Sequence, residues 1–155
     1  MEQKAMDVGQ VAPDFSLNSH KKERITLSNY RNKKVVLSFH PLAWTGVCKL
    51  QMQGLEKAIP ELRAAGAVGF GISVDSVPCK AAWAEAIQVV ETPLLADFWP
   101  HGGVAIKYGI LREAQGFSER SVIIVDQEGI IRFKKIYPID QVPDMDEILA
   151  ALQGF

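Results

Sequence analysis

The sequence has little net charge, few cysteines and no long apolar run, and each shortage excludes a class of protein. Its 155 residues carry a formal net charge of -1, so the overall charge attracts neither nucleic acid nor an anionic membrane. No apolar run approaches the roughly 18 to 20 residues that span a bilayer. Residues 1–7 include acidic side chains and precede no apolar stretch, unlike a secretory signal. We therefore expect a cytoplasmic protein with neither nucleic acid nor a membrane as its partner.

The 2 cysteines and 3 histidines limit the disulfide and metal chemistry that the chain can support. Two cysteines are too few for the disulfide framework of a small secreted protein. His20, His40 and His101 share no metal-ligand spacing with one another or with the cysteines, so we expect no metal site. Two roles remain for Cys48 and Cys79: redox or catalytic chemistry, or burial as plain thiols.

The length and the balance of side chains are typical of one globular domain, which we expect to cover residues 1–155. Hydrophobic residues make up 48% of the chain and charged residues 23%. The predicted elements are a hairpin within 8–30, strands over 35–39, 67–75 and 94–96, helices over 47–65, from 78 onward and over 104–108, a hairpin over 122–133 and a helix over 144–152. Pro60 predicts a kink or a break in the first of these helices. Because helices join buried strands, this order predicts an α/β fold whose mixed sheet has helices on both faces and antiparallel edges from the second hairpin.

Cys48 lies where the first buried strand gives way to a helix. The loop between them begins near Pro41, and Thr45 is placed to cap the helix, so that Cys48 falls in the first turn. Free N–H groups and the helix dipole favour a thiolate at that position. From the residues alone two readings stay open, a nucleophilic cysteine and a buried thiol that packs as a small hydrophobe. The second is the more frequent fate of an arbitrary cysteine.

The spacing Pro41-x-x-x-Thr45-x-x-Cys48 resembles the active-site motif of the peroxiredoxins, and the run SFHPLAWTGVC around it is similar on both sides. Further segments resemble later landmarks of that family in the same order: GISVDS at 71–76, AWA at 82–84, PLLADF at 93–98, YG at 108–109 and ERSVIIVD at 119–126. On these segments the chain is identified as a member of the alkyl hydroperoxide reductase/thiol-specific antioxidant group. The resemblance implies a thioredoxin-like fold with an N-terminal β-hairpin extension, in agreement with the order of elements.

The resemblance also implies a role for each residue at a matching position. Cys48 would be the peroxidatic cysteine, which attacks the peroxide O–O bond and becomes a sulfenic acid. Thr45 would hold the peroxide by hydrogen bonding, and Pro41 would wall the pocket. Arg120 would stabilise the thiolate and the charge that develops on the oxygens. Without the resemblance, Arg120 would be interpreted as a solvated charge at the end of a strand.

Three further residues are supporting candidates under the same resemblance. Gln51 matches a position that is often Glu or Gln in the family, and a glutamine there disfavours a dithiol reductase, which needs a second cysteine. Trp83 matches an aromatic residue near the site, although a core residue is an equally good reading. Cys79 is a candidate resolving cysteine, since it follows Pro78 at a helix start where the helix end would activate it, and a semi-buried structural thiol is the alternative. The chain lacks a C-terminal cysteine arm and is similar to the short one-Cys or atypical two-Cys members.

The expected function is therefore a thiol-dependent peroxidase that reduces hydrogen peroxide or organic hydroperoxides. The resemblance implies no metal or organic cofactor, recycling by thioredoxin, glutaredoxin or a low-molecular thiol, and a homodimer in contact through loops near the site. The alternative is a non-enzymatic redox sensor or a holdase-type partner protein on the same scaffold. Turnover of peroxide with a thiol donor distinguishes the two.

Overall fold

The computed structural model describes residues 3–155 and arranges them around a five-stranded sheet. In chain order the elements are β1 (Ser16–Asn18), β2 (Arg24–Thr26), a 3-10 helix (Leu27–Tyr30), β3 (Lys34–Phe39), α1 (Gly46–Lys57), α2 (Ile59–Ala64), β4 (Ala67–Ser73), α3 (Val77–Ala86), β5 (Leu94–Ala96), α4 (Gly103–Lys107), β6 (Leu111–Arg112), β7 (Phe117–Ser118), β8 (Arg120–Val125), β9 (Ile131–Tyr137) and α5 (Met145–Leu152). Among residues 3–155, no helix is long and apolar enough to cross a membrane.

The strands of the central sheet lie in the order β5-β4-β3-β8-β9. β4 runs parallel to β3 and β5 parallel to β4, whereas β8 is antiparallel to β3 and β9 to β8. The mixed sheet is confirmed, and β3 lies in its middle, as its continuous apolar run predicts. The expectation that the late hairpin supplies edges is wrong for β8. This strand pairs with the central β3, and only β9 lies at the edge.

Alternate residues of the sheet pack into two separate cores, which cover both of its faces. Val35 and Leu37 belong to one core, together with the N-terminal hairpin β1–β2 and residues of α4. Val36 belongs to the other core, together with residues of α1, α2, α3 and α5. Each fully buried strand therefore contributes side chains to both layers, which explains why its sequence is apolar without alternation.

The breaks between helices follow from particular residues. Pro60 occupies the first turn of α2, so the predicted break falls at Ala58, between α1 and α2. Asp144 caps α5, because its carboxylate accepts a hydrogen bond from the Asp146 N–H at 2.9 Å. The short hairpin β6–β7 was not predicted. Its two strands have two residues each and show no alternation that a pattern could detect.

Candidate active site

The register of β3 against β8 brings the N-terminus of β8 to the loop that precedes α1. Phe39, the last residue of β3, pairs with Ser121 of the antiparallel β8. Arg120, the first residue of β8, therefore lies beside the point where the chain leaves β3. Residues 41–45, here named the active-site loop, connect that point to α1.

Cys48 is the third residue of α1, with Thr45 at the N-cap position. Its side chain is buried, and Arg120 Nη1 donates a hydrogen bond to its sulfur at 3.2 Å. The helix N-terminus and a guanidinium thus lie at the same thiol, two features that favour a thiolate. This geometry suits a nucleophile and differs from that of a thiol packed only among apolar groups.

Arg120 is 2% exposed, so the interpretation as a solvated strand-end charge is wrong. Its Nε donates to the carbonyl of Ile139 at 2.8 Å, and its Nη1 also donates to Gln51 Oε1 at 2.8 Å. Within the described part of the chain no carboxylate forms an ion pair with it. A buried cation with neutral oxygen partners is costly unless an anion lies nearby, and the Cys48 sulfur is the group placed to become that anion.

Gln51 accepts a hydrogen bond from the same guanidinium nitrogen as Cys48. Its Nε2 donates to Ser38 Oγ at 2.8 Å and to the Phe39 carbonyl at 3.0 Å, so the amide bridges the end of β3 and Arg120. The amide is buried, and these three hydrogen bonds leave both of its polar atoms paired. Gln51 thus fixes the direction of the Arg120 fork.

The active-site loop directly precedes the helix turn that carries the thiol. Pro41 is buried and has no N–H that would need a partner. Thr45 is exposed, and its hydroxyl donates to the Leu42 carbonyl at 2.8 Å. The expected capping hydrogen bond of the Thr45 side chain is therefore not formed, because the hydroxyl bonds back into the loop. A donating hydroxyl keeps its lone pairs available as acceptors.

A buried polar network behind the loop was missed by the sequence patterns. Lys80 is fully buried, and its ammonium contacts His40 Nε2 at 3.2 Å and Ser73 Oγ. Ser73 in turn donates to Asp75 Oδ2 at 2.6 Å, and the same oxygen accepts the Ala43 N–H at 2.8 Å. A lysine surrounded by Ala and Trp on a helix was the available signal, but lysines are almost always exposed.

His40 and Trp83 form the apolar lining of this network. Both are buried, and their rings lie 5.4 Å apart between centroids. Burial and the positive charge of Lys80 hold the pKa of His40 well below its usual value, so the imidazole is neutral. Trp83 is part of the core that also contains Cys48. The hydrogen bond to the Cys48 sulfur comes from Arg120 and not from the Trp83 indole.

Cys79 lies in the first turn of α3, where its backbone N–H bonds the Ser76 hydroxyl at 3.3 Å. That the helix end activates its thiol stays a prediction, and the surroundings of the sulfur do not favour it. Burial, followed by the charge of Asp75, raises the pKa of Cys79, and the thiol lies 3.8 Å from Asp75 Oδ1. Burial and the neighbouring carboxylate both disfavour the thiolate. Both cysteines are free thiols.

The three histidines lie apart. His20 Nδ1 accepts the Leu94 N–H at 3.0 Å, and His101 Nε2 contacts the Gly116 carbonyl at 2.6 Å. Across residues 3–155, no group of three or more His, Cys, Asp or Glu side chains is arranged to hold a metal ion.

Comparison with known proteins gives consistent matches in sequence and structure. Residues 8–134 match the model of the AhpC/TSA family. Alkyl hydroperoxide reductase E of Mycobacterium tuberculosis is 38% identical over 151 residues, which cover 95% of this chain and 98% of that protein. Peroxiredoxin 2 of Thermoplasma acidophilum is 33% identical over 152 residues, covering 95% of this chain and 75% of that protein. The crystal structure of reduced Plasmodium vivax 2-Cys peroxiredoxin is similar with a TM-score of 0.87 and 26% identity, over 94% of this chain and 80% of that one.

Proposed function

We propose that Cys48 is the residue that attacks peroxide, on the premise that the chain belongs to the AhpC/TSA family of peroxiredoxins and is a thiol-dependent peroxidase with their thioredoxin-like fold. The observation that carries the assignment is the hydrogen bond from the buried Arg120 guanidinium to the Cys48 sulfur, at 3.2 Å. Cys79 has no comparable cation, and its pKa is raised by burial and by Asp75. The chemistry therefore belongs to Cys48.

The reaction is a displacement on oxygen. The Cys48 thiolate attacks one oxygen of the hydroperoxide, the S–O bond forms and the O–O bond breaks. The sulfur becomes a sulfenic acid, while the leaving oxygen takes a proton and departs as water or as an alcohol. Arg120 stabilises the thiolate before the attack and the negative oxygen during it, because its guanidinium charge is held at the sulfur and no carboxylate of residues 3–155 pairs with it.

The other residues of the site have separate proposed roles in binding the peroxide and orienting Arg120. Thr45 donates its proton to the Leu42 carbonyl, which leaves its oxygen free to accept the O–H of the peroxide. Pro41 closes one wall of the pocket without adding a competing donor. Gln51 orients Arg120. Trp83 supports the site through the core and makes no direct contribution to the reaction.

We propose that hydrogen peroxide and organic hydroperoxides are both substrates. The similarity to a protein named alkyl hydroperoxide reductase E supports the organic class. The Cys48 sulfur is buried, and we propose that substrates reach it past the active-site loop. We expect bulky hydroperoxides to react more slowly than small ones.

The electron donor is proposed to be an external thiol: thioredoxin, glutaredoxin or a low-molecular thiol. A donor thiol attacks the sulfenic sulfur and releases water, and a second thiol then resolves the mixed disulfide and restores Cys48. Cys79 is a weak candidate for either step, because attack requires a thiolate and the pKa of Cys79 is raised. Recycling by such donors requires a reducing compartment, and we propose the cytoplasm.

A homodimer is proposed on the evidence of large apolar side chains left exposed at the surface. Trp44 in the active-site loop is 57% exposed, and Phe98 and Trp99 after β5 are 53% and 81% exposed. Large aromatic residues at the surface mark interaction sites more often than isolated aliphatic ones do. A second copy of the chain is the occupant that the family resemblance implies.

The experiment that tests the function is steady-state consumption of hydrogen peroxide and cumene hydroperoxide with each of the three donors. Wild-type protein should turn over with at least one donor, and Cys48→Ser should lose that turnover while Cys79→Ser retains it. Oxidation of Cys48 without turnover under any donor would instead favour the redox sensor, for which neither the site nor the relatives supply an observation.

A further inference from the structure

Lys80 is a fully buried amine that takes no part in the reaction proposed for Cys48. Two of its three donors contact His40 Nε2 and Ser73 Oγ, and the ammonium lies 6.0 Å from the centre of the Trp83 ring. Because an ammonium can only donate, both contacts are accepted by neutral groups. No carboxylate in residues 3–155 forms a direct ion pair with it.

The nearest negative charge is reached through one hydroxyl. Ser73 accepts from Lys80 and donates to Asp75 Oδ2 at 2.6 Å, so its single proton points from the lysine side toward the carboxylate. The result is a fully buried ammonium connected through one hydroxyl to a partly buried carboxylate. Chains of this kind polarise each bond along their length, and a low local dielectric strengthens them.

The chain ends on the backbone of the active-site loop. Asp75 Oδ2 also accepts the Ala43 N–H at 2.8 Å, and Ala43 is followed by Trp44 with φ +67. A left-handed φ is costly for any residue with a β-carbon and persists only where the surroundings impose it. The Ala43–Asp75 hydrogen bond fixes the residue directly before this strained position. The loop conformation over Cys48 therefore depends on a contact that the buried chain supports.

We propose that Lys80 is a positioning residue of the peroxide pocket, acting through Ser73 and Asp75 on the Ala43 N–H to hold residues 41–45 over the Cys48 sulfur. The inference rests on the proposed role of Cys48. Lys80 itself does not touch the reacting atoms; it donates to Ser73, whose own proton is thereby directed at the Asp75 oxygen that accepts the Ala43 N–H. His40 completes the arrangement as a neutral acceptor at the end of β3.

The pH dependence provides a readout that a merely structural lysine would not give. Burial lowers the pKa of Lys80 to about 8, opposed by the negative groups around it. The groups that face it are Asp75, Cys79, Cys48, Asp97 and His40. The ammonium is present at pH 7 and largely lost at pH 9.5, so the support for the loop weakens over that interval.

The first test is amide hydrogen exchange in the reduced full-length protein. The variants are Lys80→Met and Ser73→Ala. Ser73→Ala removes only the bridging hydroxyl, so it keeps the test usable if Lys80→Met fails to fold. The Ala43 amide should exchange at least about tenfold faster in either variant, while amides of β3 keep their protection. Unchanged exchange of the Ala43 amide in both variants overturns the proposal.

The second test is the rate constant for oxidation of Cys48 by hydrogen peroxide, followed by stopped flow. Both variants should react roughly tenfold more slowly than wild type at pH 7, and the ratio of wild type to Lys80→Met should approach 1 by pH 9.5. Lys57→Met, an exposed lysine on α1, is the matched control and should react at the wild-type rate. Equal rates for wild type and both variants, with Cys48→Ser inert, would reject the role of Lys80 and leave the proposed function standing. Oxidation of another residue with Cys48 untouched would instead reject the proposed function.

Discussion

Arg120 Nη1 lies 3.2 Å from the Cys48 sulfur, although the two residues are 72 positions apart in the chain. The antiparallel register of β3 and β8 closes this distance, since it pairs Phe39 with Ser121. The contact is buried, and the other partners of the guanidinium are neutral oxygens. The charge at the sulfur is therefore built into the sheet rather than into the active-site loop.

Replacing Arg120 by Met should slow the oxidation of Cys48 by hydrogen peroxide roughly ten- to a hundredfold. The expected loss is that of a hydrogen bond to a charged group, about 1.5 to 3 kcal/mol. Arg120→Lys should react at a rate between those of wild type and Arg120→Met. An ammonium keeps the charge but cannot bond Ile139, Gln51 and Cys48 in the fixed geometry of the guanidinium fork. Stopped-flow oxidation of the reduced protein measures the rate constants.

Arg63→Met is the control for that series, since Arg63 is an exposed arginine whose ion pair with Glu91 lies at the surface. It should react at the wild-type rate. A wild-type rate in Arg120→Met would show that the guanidinium does not assist the reaction.

Cys79→Ser should keep the turnover of peroxide with an external thiol donor. The raised pKa of Cys79, caused first by burial and then by Asp75, leaves little thiolate to attack the Cys48 sulfenic acid. Mass spectrometry of peroxide-treated wild type under non-reducing conditions should show oxygen on Cys48 or a mixed disulfide with the donor. A Cys48–Cys79 disulfide as the main product would contradict this and assign the resolving role to Cys79.

Glu56→Gln should destabilise the protein at neutral pH and much less in acid. The Glu56 carboxylate accepts hydrogen bonds from the N–H groups of residues 90–92 and from the Thr92 hydroxyl. Partial burial acts to raise the pKa of Glu56, but these hydrogen bonds, led by the Thr92 hydroxyl, outweigh it and lower the pKa to about 2. A lowered acid pKa contributes stability that is fully present above about pH 4.5 and is lost as the pH falls toward 2.

Urea unfolding at pH 7, 4.5 and 3 checks this dependence. The difference between wild type and Glu56→Gln should be about 1 to 2 kcal/mol at pH 7 and should shrink at each step down. Glu85→Gln, an exposed position on α3 without side-chain hydrogen bonds, should differ little from wild type at every pH. A difference for Glu56→Gln that stays constant with pH would mean that the carboxylate charge is not what stabilises residues 90–92.

Trp99→Glu should shift the protein from dimer to monomer in sedimentation velocity. A carboxylate at a position that is 81% exposed costs the monomer little but must be desolvated in an apolar interface. Val90→Glu is the matched control, because Val90 is 68% exposed and precedes β5, whereas Trp99 follows it. Wild-type protein that sediments as a monomer at micromolar concentrations would remove the proposed dimer.

The element order and the position of Cys48 could be predicted from the sequence because both depend on local patterns. Pro60 separates α1 from α2, and the apolar run of β3 ends just before the loop that carries Thr45 to the helix start. The insertion of β8 beside β3 could not be predicted, since strand order depends on pairing between distant segments. Without that pairing, the burial of Arg120 has no local signal.

The network of Lys80 escaped prediction for a different reason. Lysine side chains are almost always exposed, so the sequence predicts Lys80 at the surface. Its burial depends on hydrogen-bond acceptors from His40 and Ser73, which lie at the ends of two different strands. Thr45 occupies the N-cap position without the expected capping hydrogen bond, because its hydroxyl donates to the Leu42 carbonyl within the same loop. Polar contacts within a site thus depend on the fold more than on spacing.

The most direct measurement of the central claim is a single-turnover oxidation of the fully reduced protein by one equivalent of hydrogen peroxide, followed by peptide mass analysis. Trapping with a sulfenic-acid reagent such as dimedone should label Cys48 and leave Cys79 as a free thiol, and Cys48→Ser should take no label. A label on Cys79 with Cys48 still reduced, or consumption of peroxide by Cys48→Ser at the wild-type rate, would contradict the assignment of Cys48 as the peroxide-reducing residue.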